Sequence, residues 1–217
     1  MKSLKLMVAV ALAMISTVAS AQSDFFLYGK NNVSVGYATL SAKNSDEPLR
    51  GGRISYTRIF ELNEYVPVFL ETGGQVQYAT VSENEIFNGN RVHSEFDLGY
   101  VAIPMNVGYQ FNIGESGFSI APKAGLTLVA NIIADFDVKM GDKKFGLNWF
   151  DDVDAKRFNI GWQVGGDIAY KRVVLGITYG QDFNKFIGEK NVPIGKTELN
   201  FVESKWKRFH VSIGCRF

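Results

Sequence analysis

Apolar and polar residues alternate with a period of two over long stretches of this chain. In residues 158–171 the even positions are mostly apolar, from Phe158 to Tyr170, and the odd positions are mostly polar or glycine. Residues 209–217 repeat the pattern, ending at Phe217. A helix places residues three and four apart on one face and would mix these two sets. The alternation therefore predicts β-strands with two different faces.

The alternating segments predict an all-β fold of eight antiparallel strands, near residues 31–41, 51–61, 66–82, 94–111, 118–138, 158–171, 173–187 and 205–217. The connections are long and short in turn, starting and ending with long loops at 42–50 and 188–204. Short turns at one end and longer loops at the other are typical of up-and-down outer-membrane β-barrels. We therefore expect an eight-stranded transmembrane barrel with both termini in the periplasm. A soluble β-sandwich is the alternative, although it has no reason to sort its loops by length.

The first 21 residues have the features of a targeting segment. Lys2 and Lys5 precede ten apolar residues, Leu6 to Ile15, and Ala19-Ser20-Ala21 is a cleavage pattern. Ten residues are too few to cross about 30 Å of hydrocarbon as a helix. We expect residues 1–21 to be a cleaved signal peptide and residues 22–217 to be the barrel domain.

The composition argues against several classes of partner. With 23 basic and 22 acidic residues, the chain has no electrostatic reason to bind nucleic acid. One cysteine and two histidines disfavour a cysteine-based or histidine-rich metal site, so no metal or cofactor is predicted. The expected surroundings are outer-membrane lipid, around a monomer.

Three segments carry a family resemblance: Tyr100 to Tyr109, Gly161 to Asp167, and Arg208 to Phe217. They resemble the small outer-membrane β-barrel proteins of the OmpA/OmpX-like and PorT-like group, found in the Gram-negative cell envelope and especially in Bacteroidetes-type bacteria. The resemblance implies that the outer-membrane assembly machinery reads the last strand. The residues that would form this signal are Phe209, Val211, Ile213 and Phe217.

The lumen of an eight-stranded barrel is just wide enough to be filled by side chains. The polar face predicts that it holds Glu71, Gln75, Gln77, Asp97, Lys123, Gln163, Asp167, Lys171 and Arg216. Counted from the strand ends, Glu71, Lys123 and Asp167 lie at similar heights. Because a buried charge needs a partner, these three are predicted to form a charge cluster that plugs the lumen. The alternative is that they face separate waters, since strand register is uncertain.

The apolar face is expected to contact lipid. Aromatic belts are predicted at the periplasmic rim, from Phe60, Tyr109, Phe111, Phe118, Tyr170 and Phe217, and at the outer rim, from Phe96, Phe136 and Phe158. The alternative is that these rings pack a soluble core. Arg58 falls on the lipid side and is expected to snorkel to an interface. A change of parity near Ile103-Pro104 predicts a β-bulge, since proline cannot donate to a strand ladder.

The loops offer the remaining candidates for binding. Residues 139–157 combine three aromatics with four acids, namely Phe145, Trp149, Phe150, Asp142, Asp151, Asp152 and Asp154. The acids match no full calcium-loop pattern, so solvated side chains are favoured. The aromatics either contact a partner or pack the loop. Loop 188–204 is predicted to be solvated.

His210-Val211-Ser212 resembles the His-x-Ser pair of lipid A deacylases, which are themselves eight-stranded barrels. An activated serine needs an adjacent base and an orienting acid, and no acid follows in the sequence. No catalytic residue is therefore predicted, and the chain is expected not to be an enzyme. The predicted role is structural or interactive, through loops 139–157 and 188–204. The alternative is a narrow porin-like channel for small solutes or ions, and a lipid A-modifying enzyme is less favoured.

Overall fold

A computed structural model describes residues 30–42, 47–62, 65–87, 90–141, 143–188, 190–194, 197–201 and 204–217. The predicted signal peptide, residues 1–21, lies outside these ranges. The described residues form strands and one short helix. No helix among them is long and apolar enough to span a membrane.

Eight long strands form the wall of the molecule. They are β1 (Asn31–Ser41), β2 (Leu49–Glu61), β3 (Val68–Phe87), β4 (Asn90–Tyr109), β6 (Phe118–Met140), β8 (Phe158–Tyr170), β9 (Val173–Asp182) and β12 (Lys207–Arg216). The shorter elements are β5 (Phe111–Ile113), β7 (Lys143–Asn148), β10 (Lys190–Ile194), β11 (Thr197–Phe201) and helix α1 (Trp149–Asp152). Strands β3 and β4 are longer than predicted. The segment predicted as loop 139–157 contains β7 and α1.

Each wall strand pairs in an antiparallel manner with its neighbours, and the wall closes on itself. The last strand, β12, pairs with β1, from Asn32 opposite Arg216 to Ser41 opposite Lys207. Pairing of β4 with β6 makes the wall continuous. The start of β1 and the end of β12 meet at one end of the barrel, where the Asn31 N–H donates to Phe217 O at 2.9 Å. We call this the terminal end. The eight-stranded antiparallel barrel is thus confirmed.

The opposite end of the barrel is longer on one side. Strands β3, β4 and β6 contain 20, 20 and 23 residues, whereas about 9–11 residues suffice to cross a membrane. Strand β7 pairs with the top of β6, and β10 and β11 form a separate hairpin. These elements and α1 project beyond the wall at what we call the extended end.

The outer surface of the wall is apolar. Side chains that alternate along each strand are exposed there, for example Val35, Ile103, Leu126, Ile177 and Ile213. The six aromatics predicted for the periplasmic rim are all exposed at the terminal end, and two pairs have ring centroids 4.5 Å apart. An exposed apolar wall with rings at its edge is the surface that a transmembrane barrel presents to lipid.

Two details of the strands differ from the sequence prediction. Even-numbered residues from Phe96 to Gln110 face inward without interruption, so parity does not switch at Pro104. The β3–β4 register is also the same on both sides of Pro104. The register shift lies between Gly99 and Tyr100 in the pairing with β6, where Ile132 is the extra residue. The apparent switch arose because Leu98, Tyr100 and Ala102 are apolar or aromatic and yet face inward.

Candidate functional site

Near the terminal end, four charged side chains meet inside the barrel. Lys123 Nζ donates to Glu71 Oε2 at 2.8 Å and to Asp167 Oδ2 at 2.9 Å. Arg216 Nη2 lies 3.9 Å from the same Asp167 oxygen, and its Nη1 donates to Gln110 Oε1 at 3.0 Å. We call these five residues the terminal-end cluster. The structure thus brings together Glu71, Lys123 and Asp167, whose part in closing the lumen remains a prediction.

The cluster is possible because four different strands aim their side chains at one level. Glu71 lies on β3, Lys123 on β6, Asp167 on β8 and Arg216 on β12. All are buried or nearly so, with side-chain exposures of 9% or less. Each carboxylate faces a cation, so two positive and two negative charges balance. A balanced, hydrogen-bonded group of this kind avoids the large cost of an isolated buried charge.

A second polar group crosses the lumen closer to the extended end. Arg208 of β12 forms a salt bridge with Asp182 of β9. The other oxygen of Asp182 accepts from Asn159 Nδ2 at 3.2 Å, and Asn159 Oδ1 accepts from Asn131 Nδ2 at 3.1 Å. Asn131 also donates to Lys156 O at 3.1 Å, which ties the row to the segment after α1. This row joins strands β6, β8, β9 and β12.

Above this row, an apolar cap fills the barrel mouth. It combines inward residues of β1, β2, β3, β4 and β6 with residues from the connecting segments. Phe96 lies with its ring centroid 4.3 Å from Trp149, which is 6.1 Å from Phe186, which is 5.6 Å from Trp206. Phe186 is completely buried. Three of these four rings come from connecting segments and pack on inward residues of the wall.

The cap corrects several predictions about the outer half of the chain. Phe96 was expected in an outer lipid-facing belt, but it faces inward and packs on Trp149. Phe136 is partly buried against the cap, whereas Phe158 is exposed as predicted. The prediction assumed that apolar residues face lipid everywhere. In this half of the barrel they also line the interior.

Two of the predicted lumen residues lie elsewhere. Asp97 falls on the outward face, since its neighbours Phe96 and Leu98 point inward. Lys171 lies in the exposed turn between β8 and β9 with φ of 52°, and its Nζ is 5.4 Å from the Tyr170 ring centroid. The inward positions Gln75, Gln77, Gln163 and Arg216 are buried. Arg58 is exposed on the outside, and its guanidinium lies over Phe60, 5.2 Å from the ring centroid.

The sequence prediction missed several inward residues. Arg53, Tyr100, Asp182 and Arg208 all face the lumen, and Tyr100 Oη donates to Gln77 Oε1 at 2.6 Å. A period-two count from Gly51 would have placed Arg53 inside. Asp182 also follows from a period-two count, since Val174 and Gly180 are buried on the same face of β9.

The predicted His-x-Ser pair also faces inward. His210 is buried, and neither ring nitrogen has a hydrogen-bond partner among the described residues. Ser212 follows on the same face of β12. The described structure therefore supplies no carboxylate hydrogen-bonded to His210, which is the third group that an activated serine needs.

The segment 139–157 is only partly available for contacts with a partner. Trp149 and Phe150 pack into the cap, while Phe145 is exposed. Asp152 Oδ2 accepts from the Asn148 N–H at 2.8 Å, and Asp151 lies 3.8 Å from Arg157. The aromatics at 149 and 150 thus pack the loop. Asp142 lies outside the described residues, as do the side chains of 190–194 and 197–201 in the second loop.

Comparison with known proteins gives the family. Residues 7–217 match the family described as outer membrane protein beta-barrel domain. The chain belongs to this family. Its members are outer-membrane barrels, so the outer membrane is the location and its lipid is the surrounding medium. The predicted relationship to OmpA/OmpX-like proteins is confirmed.

Solved structures similar to this one are also small outer-membrane barrels. Ail, the attachment invasion locus protein of Yersinia pestis, has 13% identity and a TM-score of 0.44 over 87% of this chain and 99% of its own. Neisserial surface protein A has 15% identity and a TM-score of 0.40 over 86% and 97%. At these values the likeness says nothing about function. A search of curated proteins finds no match.

The expectation that the chain is not an enzyme, which was based on the missing acid of the His-x-Ser pair, is contradicted by the comparisons. The similar structures include one described as the outer membrane enzyme PagL, with 12% identity and a TM-score of 0.47 over 86% of this chain and 99% of that one. One fold supports unrelated functions, so the barrel fold alone does not decide whether a chain is an enzyme. The comparison assigns no activity to this chain.

Proposed function

We propose that this protein is a closed outer-membrane barrel whose extended end is an interaction surface outside the cell. The observation that carries the proposal is the presence of inward-packed side chains at two levels of the lumen. The terminal-end cluster would block the lumen with paired charges, and the apolar cap would block it with aromatic rings. A solute would have to displace both.

The length of the strands supports the second half of the proposal. Strands β3, β4 and β6 continue well beyond the length needed to cross a membrane. Short turns of such barrels face the periplasm and the longer loops face outward. The terminal end, with the start of β1 and the end of β12, then lies in the periplasm. The extended end presents exposed apolar side chains, including Ile86 and Phe145, to a surface partner.

We also propose that the last strand acts as the signal for the outer-membrane assembly machinery. Phe209, Val211, Ile213 and Phe217 are all exposed on the outer face of β12 and at its end. They are therefore available as an alternating apolar edge before the wall closes. The protein would act as a monomer of the mature domain, residues 22–217, after removal of residues 1–21.

Ion conductance in planar bilayers tests whether the barrel is closed. Folded wild type should show no discrete conductance, and Lys123→Ala should also stay closed, because the cap lies in the same path. Folding and insertion are checked on the same sample by heat-modifiable migration in gels. A reproducible wild-type conductance that changes in Lys123→Ala would instead establish a narrow channel through the lumen.

A further inference from the structure

Between the terminal-end cluster and the cap, a central chamber contains polar side-chain atoms that have no hydrogen-bond partner among the described residues. We define it by Arg53 on β2, Gln77 on β3, Tyr100 on β4 and His210 on β12. Arg53 is directly opposite Gln77, and Gln77 is directly opposite Tyr100, so these three form one row across the wall. His210 lies within electrostatic range of Arg53.

Arg53 has no carboxylate of its own: Glu71 and Asp167 act on it electrostatically, but both are already paired with other cations. In the terminal-end cluster, Lys123 and Arg216 balance Glu71 and Asp167. Nearer the extended end, Arg208 balances Asp182. Among the described residues, no carboxylate forms a salt bridge with Arg53. An inward guanidinium with no counter-ion carries a large desolvation cost, which a neighbouring anion removes.

The chamber also contains hydrogen-bond donors that have no acceptor among the described residues. Arg53 Nε, Gln77 Nε2 and both ring nitrogens of His210 are buried without a partner among the described residues. The carboxamide oxygen of Gln77 already accepts from Tyr100 Oη. The nitrogens of Arg53 and Gln77 are donors only, and a neutral imidazole donates through one nitrogen. The chamber therefore offers donors that an acceptor must satisfy.

The residues beside these donors are small. Inward neighbours Ala38 and Gly51 are in register with His210, and Gly36 is in register with Arg53. These three residues place little or no side chain in the lumen. Arg53 itself is only partly covered by protein although it faces inward.

We infer that the central chamber binds one small monovalent anion of the halide class, as the counter-ion of Arg53. Arg53 supplies the charge, and Gln77 Nε2 and one His210 nitrogen supply further donors. The two closed levels keep the ion away from bulk solvent. The ion is taken up when the barrel folds around it, so it contributes to the stability of the closed state.

Halide-dependent unfolding tests the inference with bromide as the probe. The full mature chain is refolded and unfolded in urea, with sodium bromide replacing sodium gluconate at constant ionic strength. For a filled site, each tenfold rise in bromide raises the folding equilibrium constant of wild type up to tenfold. Arg53→Met should lose this dependence. Arg58→Met, an exposed outward arginine on the same strand, should keep it and corrects for general salt effects.

Crystals of wild type grown in bromide give a second readout that needs no variant. An anomalous bromine peak beside the Arg53 guanidinium is the expected result. The inference is overturned if wild type is equally stable in bromide and gluconate, or if Arg53→Met responds to bromide as wild type does. It is also overturned if the lumen shows no bromine peak. If Arg53→Met does not fold, the presence or absence of the peak decides.

Discussion

At the scale of single residues, the charged side chains in the lumen are stabilised by pairing with opposite charges. Lys123 contacts both acids of the terminal-end cluster, and the side chains involved are nearly inaccessible to solvent. Removing such a cation measures how much it contributes to the stability of the folded barrel. Two carboxylates would then share the space without the cation that contacts both of them.

We expect Lys123→Met to destabilise the folded barrel by about 3–5 kcal/mol, because it leaves a buried charge uncompensated. The Glu71→Gln, Lys123→Met double variant should lose less, since it removes one charge of each sign. Urea unfolding in lipid vesicles measures both. Lys144→Met is the control: its pair with Asp137 is exposed and contributes about 0–1 kcal/mol. Equal losses in Lys123→Met and Lys144→Met would contradict the cluster's role.

At the scale of elements, the connections near the extended end are part of the core. The short helix α1 begins after Asn148, whose side chain accepts hydrogen bonds from the N–H groups of Phe150 and Asp151. This cap fixes the direction in which Trp149 and Phe150 enter the barrel mouth. Segment 183–187 contributes Phe186 and Ile187 from the opposite side. These loops therefore pack against the barrel wall as well as connect strands.

Phe183 and Phe186 allow the contribution of packing in the cap to be measured against that of an exposed phenylalanine. Phe186 is fully buried in the cap, while Phe183 is 52% exposed. Phe186→Ala should lower the free energy of unfolding by about 3–5 kcal/mol through loss of buried area and a cavity. Phe183→Ala should change it by about 0.5 kcal/mol or less. Urea titrations of the two variants compare them directly, and similar losses would argue against a packed cap.

For the last strand, we predict an effect on assembly in cells rather than on stability. Phe217→Ala should reduce the amount of folded protein in the outer membrane of cells, because the signal read by the assembly machinery is weakened. Its refolding into vesicles should be almost unchanged. Phe118→Ala removes a ring of similar exposure from the same rim and is the control. Equal amounts of the two variants in the outer membrane would contradict the proposed role of Phe217 in assembly.

At the scale of the whole molecule, the barrel is asymmetric along its axis. One end carries tight turns, the start of β1 and the end of β12, and the other carries long strands, a hairpin and a helix. This asymmetry is the basis for the proposal that the terminal end lies in the periplasm. The orientation in the membrane can be measured without knowing any partner.

Cysteine labelling of intact cells gives that orientation. In a Cys215→Ser background, Glu83→Cys lies near the extended end and Glu115→Cys lies in the turn between β5 and β6 at the terminal end. A membrane-impermeant maleimide should label the first in intact cells. It should label the second only after the outer membrane is permeabilised. The reverse pattern would show that the extended end faces the periplasm.

The sequence by itself determined the strands, the closed antiparallel wall and the family, because period-two alternation marks two faces at every position. It also put Glu71, Lys123 and Asp167 at one level, since each count began from a recognisable strand end. The apolar cap was decided only by the tertiary structure. Phe96, Leu98 and Phe186 are as apolar as lipid-facing residues, and only the closed wall shows that they point inward. Long-range pairing likewise set the bulge at Ile132 and brought Arg53 beside Gln77, because register across strands depends on contacts far apart in the chain.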